Sequence, residues 1–221
     1  MNDRAAARAL AQKHIADGDP LGWFEPLYAS AAGEPAAIPW ADLRPNPNLV
    51  SWLDAHPTPA AGLRAMKVGC GLGDDAEELA RRGFDVTAFD VAPTAIRWCR
   101  RRFPQSPVRY QVADLLDPPP EWAGAFDFVL ESYTLQVLPP ALRERAMQSL
   151  AGFLAESGRL LLICRGREPG EPEGQMPWPL TRRELSGLAE RARLVERSYE
   201  DYRDSENPPV RRFRCIYERG D

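Results

Sequence analysis

From Leu63 onward the chain predicts an α/β fold: a doubly wound, mostly parallel sheet of seven strands that ends in an antiparallel C-terminal hairpin. Three observations carry that expectation. Short apolar runs alternate with helix-like stretches, the pattern of a sheet covered by helices on both faces. Glycine and proline punctuate the helices where they should, with Gly83 after one and Pro93 in the first turn of the next. Gly69, Asp90, Asp114, Glu131 and Arg165 each end a predicted strand. Ligands of open α/β sheets bind outside the carboxyl ends of the strands.

The first strand is read over Ala65 to Val68 and the helix after it over Asp75 to Arg82. The second strand runs from Asp85 to Asp90, and a helix over Pro93 to Phe103 leads to a third strand at Val108 to Val112. Phe126 to Glu131 is the fourth strand, followed by a helix over Pro140 to Leu154 and a fifth strand at Arg159 to Cys164. Thr181 to Ala192 opens on T-R-R-E, in which a threonine and a glutamate three residues apart can cap each other's backbone N–H groups. Leu194 to Tyr199 and Arg212 to Tyr217 make the hairpin.

Ahead of this domain, taken as residues 61–221, residues 1–60 read as a helical and aromatic lid segment. Asp3 to Ala16 is alanine-rich, with an Asp N-cap and a stop at Gly18, and predicts a helix. The next stretch carries Trp23, Phe24, Tyr28 and Trp40 at spacings that fit neither helix nor strand. It reads as an irregular loop, either pinned to the body or closing over a ligand. A short helix over Asn48 to His56 follows.

Composition bounds the partners. A net charge of −4 gives no nucleic-acid footprint. No apolar run approaches the roughly 18 residues that span a bilayer, and the N-terminus has neither the apolar core nor the cleavage site of a secretory signal. The four cysteines, Cys70, Cys99, Cys164 and Cys215, form no C-x-x-C pair and read as reduced thiols of a cytoplasmic protein. No His, Asp and Glu cluster has metal-ligand spacing, so no metal is expected. A monomer and a homodimer are both open.

The chain is organised around Lys67 to Asp90, KVGCGLGDDAEELARRGFDVTAFD. Gly69, Gly71 and Gly73 let a tight turn form and let backbone approach a ligand. Asp90, 17 residues after Gly73, is placed to accept hydrogen bonds from a ribose diol. The glycines do not follow G-x-G-x-x-G, and Asp74 and Asp75 at the helix start would repel a pyrophosphate. The ligand read from these residues is a nucleoside without phosphates, which S-adenosylmethionine fits and a dinucleotide does not.

The stretch GCGLGDDAEELARRGFDVTAFDVAPTAIRWCRRRFP, then VADLLD, then FDFVLESYTLQVLPPALR, resembles the class I S-adenosylmethionine-dependent methyltransferases, which have a Rossmann-like fold. Together with PWADLRPNPNL and EPEGQMPWPLTRREL, it is similar to their thiopurine S-methyltransferase-like and tellurite-resistance-like branch. The resemblance implies S-adenosyl-L-methionine as cofactor, S-adenosyl-L-homocysteine as product and a small-molecule acceptor. It implies that Gly69, Gly71 and Gly73 face the amino-acid part of the cofactor and that Asp90 and Val91 sit at the ribose. Asp114 and Leu115 would meet the adenine, Glu131 would line the site, and Trp23 and Trp40 would roof it. Lys67 departs from the acidic or apolar residue usual two positions before Gly69.

Methyl transfer needs a nucleophile held in line and kept dry. A thiol or other soft nucleophile needs little base, and no histidine follows His56 to serve as one. A thiol is therefore the first expectation. Nitrogen or oxygen of a secondary metabolite, with Glu131 or Tyr133 assisting, is the second, and a non-catalytic nucleoside-binding module is the third. The acceptor is expected among Trp23, Phe24, Tyr133, Arg165 and Trp178. Against these roles stand plain ones: Asp90 as a turn cap, Asp114 as a loop acid, Glu131 and Tyr133 as packing, Arg165 as a solvated charge.

Overall fold

In a computed structural model, which describes residues 4–57 and 59–220, the sheet has seven strands in the order β3-β2-β1-β4-β5-β7-β6. The strands are β1 (Arg64–Val68), β2 (Asp85–Asp90), β3 (Arg109–Val112), β4 (Phe126–Ser132), β5 (Leu154–Arg165), β6 (Leu194–Arg203) and β7 (Arg211–Arg219). β2 pairs parallel with β3, and β4 pairs parallel with both β1 and β5. β7 runs antiparallel to β5 and β6, which makes the C-terminal hairpin. The chain order reverses between β1 and β4. This is the switch point of a doubly wound sheet.

The helices are α1 (Arg4–Ala16), α2 (Phe24–Ser30), α3 (Pro47–Ala55), α4 (Asp74–Arg81), α5 (Pro93–Arg102), α6 (Pro140–Phe153) and α7 (Arg182–Arg191). The Asp3 N-cap expected for α1 lies outside the described residues. Gly83, at φ 100°, ends α4: its N–H reaches Ala80 O and the N–H of Phe84 reaches Leu79 O. The capping box of α7 forms, with Thr181 accepting from the N–H of Glu184 at 3.1 Å and Glu184 accepting from the N–H of Thr181 at 2.6 Å.

The aromatic segment corrects the sequence reading. Phe24–Ser30 is a helix, with Pro26 in its first turn, where a missing N–H costs nothing. β5 also begins earlier than its apolar core, at Leu154 directly after α6.

The chain divides into two compact units. One holds residues up to Gly62 together with Gly69–Asp114; the other holds Leu63–Val68 and Leu115–Asp221.

Candidate functional site

In the first unit the glycine turn follows β1 and enters α4. The N–H of Cys70 is held by Phe89 O of β2 at 2.8 Å. Gly71 has φ 54°, and a Cβ there would come within 3.3 Å of the Tyr28 hydroxyl and 3.9 Å of Trp40 Nε1. Gly73, at φ 95°, opens α4, but its side is filled by protein. A Cβ there would meet the Tyr110 hydroxyl at 2.7 Å and Cys99 and Phe103 at 3.2 Å. Gly71 thus lies under the aromatic segment, while Gly73 packs α4 against its neighbours.

Asp90, at the carboxyl end of β2, is only 7% exposed. One carboxylate oxygen accepts from the N–H of Gly71 at 2.9 Å and the other from the N–H of Ala92 at 3.0 Å. The turn-cap role is therefore real, and it does not compete with a ligand role. A carboxylate offers about four acceptor positions, and bonds from backbone fix where the remaining lone pairs point. Val91 and Asp114, beside Asp90 and just past β3, are half-buried.

The aromatic segment is ordered by several contacts. Trp23 is fully buried and stacks on Phe24 at 4.0 Å; Trp40 meets both edge-on and remains 39% exposed. Trp40 Nε1 donates to the Tyr28 hydroxyl at 3.0 Å. Tyr28, which the sequence reading named only among the aromatics, is the residue that meets Gly71. Burial first, then the charge of Asp90, pushes its hydroxyl pKa well up, so it stays protonated. Glu25 caps α5 from outside, accepting from the N–H of Thr94 at 2.8 Å and from its hydroxyl at 2.6 Å. The buried Trp23 Nε1 has no hydrogen-bond partner.

Asp74 and Asp75 have partners that the sequence did not reveal. Asp74 takes both Arg102 guanidinium nitrogens at 2.8 Å, and Asp75 accepts from the N–H of Asn46 at 2.8 Å. Their charges hold α5 and the segment before α3 in place, so repulsion of a pyrophosphate is a weaker argument than it looked from sequence. The first unit brings together a left-handed glycine under an aromatic cover, an oriented carboxylate and a buried indole N–H without a hydrogen-bond partner.

The second unit places Glu131 and Lys67 at the switch point, where Val68 and Lys67 of β1 lie beside Glu131 and Leu130 of β4. Glu131 is fully buried. Its Oε1 accepts from the N–H groups of Thr134 and Leu135 at 2.6 and 2.9 Å, and its Oε2 has no hydrogen-bond partner. Burial pushes its pKa from 4.5 to about 7, against the opposing pull of those N–H groups and of the Lys67 charge. Lys67 is 2% exposed, its ammonium donating to Val68 O at 2.8 Å. A lysine on a central strand has to snorkel or pair; this one is buried, and its charge favours the ionised form of Glu131.

Tyr133 has φ 68°, and its ring lies 4.6 Å from the guanidinium of Arg212. Arg212 is buried and pairs with Asp204 at 2.6 Å and with Glu206. Arg165 is half-buried; its N–H is held by the Gln136 side chain at 2.7 Å, and Gln136 O accepts from the N–H of Trp178 at 2.7 Å. Gln136 and Arg143 were missed from sequence. Arg143 is 4% exposed, donates Nε to Leu138 O at 3.1 Å and lies 5.9 Å from the Trp178 ring, with Nη2 unpartnered. Leu115 is buried in this unit. Tyr133, Arg165 and Trp178 therefore share one unit, and Trp23 and Phe24 belong to the other.

His56 stacks on Trp52 and bonds its carbonyl at 2.9 Å, and His14 lies 3.5 Å from Asp19. All four cysteines are buried and none is in a disulfide. Among the described residues no group of three or more His, Cys, Asp or Glu could hold a metal ion, and no helix is long and apolar enough to cross a membrane.

Residues 65–158 match the model of a methyltransferase domain family. A ubiquinone biosynthesis O-methyltransferase of Xanthomonas axonopodis pv. citri is 37% identical over 127 residues, 56% of this chain and 52% of that protein. The chain spans about half the length of that curated relative. Among solved structures, one from the conversion of a disulfide bond into a thioacetal group during echinomycin biosynthesis superposes with a TM-score of 0.73 at 20% identity, covering 90% of this chain and 92% of that one. A 1,6-didemethyltoxoflavin-N1-methyltransferase of Burkholderia thailandensis, solved with bound 1,6-didemethyltoxoflavin and S-adenosylhomocysteine, gives a TM-score of 0.64 at 18% identity, covering 98% of this chain and 89% of that one. These two likenesses show a shared fold.

Proposed function

We propose that this chain, which carries a methyltransferase domain over residues 65–158, is an S-adenosylmethionine-dependent methyltransferase acting on a small molecule. One observation carries the reading: within that domain the Gly71 N–H is tied to the Asp90 carboxylate, which holds a glycine turn against a buried acid and supports a ribose site there. S-adenosylmethionine, when bound, supplies an electrophilic methyl group on a sulfonium. The chain's own residues would hold and enclose it. Asp90 and Val91 would meet the ribose, and Asp114 and Leu115 the adenine. Gly69 and Gly71 would let backbone approach the amino-acid end, and Trp23 and Trp40 would exclude water.

A thiol or other soft nucleophile remains the first candidate acceptor. Its support is the resemblance to the thiopurine S-methyltransferase-like and tellurite-resistance-like branch, together with the absence of a histidine after His56. A second reading, an oxygen or nitrogen acceptor, has its own support in the O-methyltransferase relative, which matches over more residues than the domain model covers. Tyr133, Arg165 and Trp178 are the acceptor-side candidates of the second unit, and Phe24 that of the first.

A screen with methyl-labelled cofactor against thiols, halides, amines and phenols tests the reading. Transfer to thiols alone selects the first acceptor class, and transfer to phenols or amines selects the second. Cofactor binding without transfer to any of them would leave a nucleoside-binding module.

A further inference from the structure

We infer that Tyr28 is a cofactor-binding residue: its hydroxyl, oriented by the Trp40 indole, donates a hydrogen bond to the carboxylate of the amino-acid tail held at Gly71. The inference rests on the S-adenosylmethionine reading and names a contact of that ligand's tail. Every residue it uses belongs to the first unit. Gly71 supplies the room. The point where its Cβ would stand has only two atoms within 4 Å beyond its chain neighbours, the Tyr28 hydroxyl at 3.3 Å and Trp40 Nε1 at 3.9 Å. At Gly73, by contrast, protein comes as near as 2.7 Å. The side of Gly71 is thus a cradle that a Cβ would fill, walled by polar groups of the aromatic segment.

Those groups form a directed chain of donors. Trp40 is braced edge-on by Trp23, Phe24 and Tyr28, at ring separations of 5.9, 6.3 and 6.0 Å. Its Nε1 donates to the Tyr28 hydroxyl at 3.0 Å. That bond occupies a lone pair of the hydroxyl oxygen and leaves the hydroxyl's own proton to be given elsewhere. Among the described residues none accepts it. Tyr28 is 1% exposed, and a buried donor left unused is costly. The proton is firmly held, because burial first and then the Asp90 charge raise the pKa of the hydroxyl.

A ligand group in the cradle therefore has to accept. The amino-acid tail carries one group of each kind, an ammonium that only donates and a carboxylate that only accepts. Tyr28 selects the carboxylate. The charge of Asp90 is blunted there, since each of its oxygens already takes a backbone N–H, from Gly71 and from Ala92. A hydrogen bond to a charged oxygen is stronger than one to a neutral oxygen. Tyr28 thus favours a nucleoside with a carboxylate on its tail over the same nucleoside without one. The aromatic cover then does more than keep water out: α2 carries a donor to the ligand.

Titration calorimetry on the full chain tests the contact, with S-adenosylmethionine and its decarboxylated form as probes. The probes share adenine, ribose and sulfonium and differ in the carboxylate. Y28F keeps the ring and removes the donor. It should weaken S-adenosylmethionine binding by about tenfold or more and change binding of the decarboxylated probe by less than about twofold. W40F removes the N–H that orients the hydroxyl. It should weaken S-adenosylmethionine binding by about threefold, again sparing the decarboxylated probe, and it carries the test if urea denaturation shows Y28F to be unfolded. Binding of S-adenosylmethionine by Y28F within about twofold of wild type overturns the assignment and leaves the cofactor reading intact. So does an equal loss on both probes, which would put the hydroxyl at the ribose or make it packing alone. A wild type that binds neither probe removes the cofactor reading itself, and this assignment with it.

Discussion

Two carboxylates, Asp90 at the end of β2 and Glu131 one residue before the end of β4, are nearly or fully buried and are held in opposite ways. Asp90 has a backbone N–H on each oxygen; Glu131 has two on one oxygen and none on the other. Backbone donors on both oxygens fix an acid as a stationary acceptor. Donors on one side alone leave the other oxygen able to gain a proton. The contrast separates an acid fixed as an acceptor from an acid whose charge can change.

The largest expected effect tests the scaffold under Asp90. Gly73→Ala puts a Cβ 2.7 Å from the Tyr110 hydroxyl at φ 95°. It should cost about 2–4 kcal/mol of stability, read by urea denaturation. Gly71→Ala meets the Tyr28 hydroxyl at 3.3 Å and Trp40 Nε1 at 3.9 Å, and should lose cofactor affinity more than stability.

Asp90→Ala comes next. It should weaken S-adenosylhomocysteine binding by about 1.5–3 kcal/mol, the range for hydrogen bonds to a charged group. It should also lower stability by about 1–3 kcal/mol, because the N–H groups of Gly71 and Ala92 lose their acceptor. A stability loss without an affinity loss would reduce Asp90 to a turn cap.

Glu131 should give the opposite signature. Its folded pKa is raised from 4.5 to about 7, so the native state holds a proton that the unfolded chain has already released. Its contribution to stability is full below 4.5 and is lost as pH rises through about 7. Wild type should therefore lose on the order of 2–3 kcal/mol relative to E131Q between those limits, read by urea denaturation across that range. A flat difference would make Glu131 a fixed acceptor like Asp90.

The smallest effect concerns the aromatic cover. Glu25→Gln should cost about 1 kcal/mol by weakening the outside cap of α5. If it also raises the Kd for S-adenosylhomocysteine, α2 helps to hold the ligand; if it does not, the segment is packing.

What was legible in the sequence follows from how local each signal is. Strands such as Phe126 to Glu131 announce themselves by apolar runs, and the α7 cap by residues three apart. The glycine turn and Asp90 were readable because spacing alone relates them. α2 escaped because Pro26 and scattered aromatics disguise a helix anchored by Glu25 to Thr94, 69 positions away. Gln136 and Arg143 escaped for the same reason: their partners, Arg165 at the end of β5 and Trp178 in the segment after it, come from much later in the chain. Asp74 showed a charge but not its partner Arg102, so a carboxylate that is paired in the fold read as a free one. Lys67 read as an anomaly; in the fold it is buried, with its ammonium on Val68 O.

The central claim is that the glycine turn and Asp90 bind the nucleoside of a methyl donor. Titration calorimetry of the wild-type chain with S-adenosylhomocysteine and, separately, with NAD tests it most directly. The account predicts saturable binding of S-adenosylhomocysteine, weakened in Asp90→Ala, and no heat with NAD. Saturable NAD binding with no response to S-adenosylhomocysteine would contradict it.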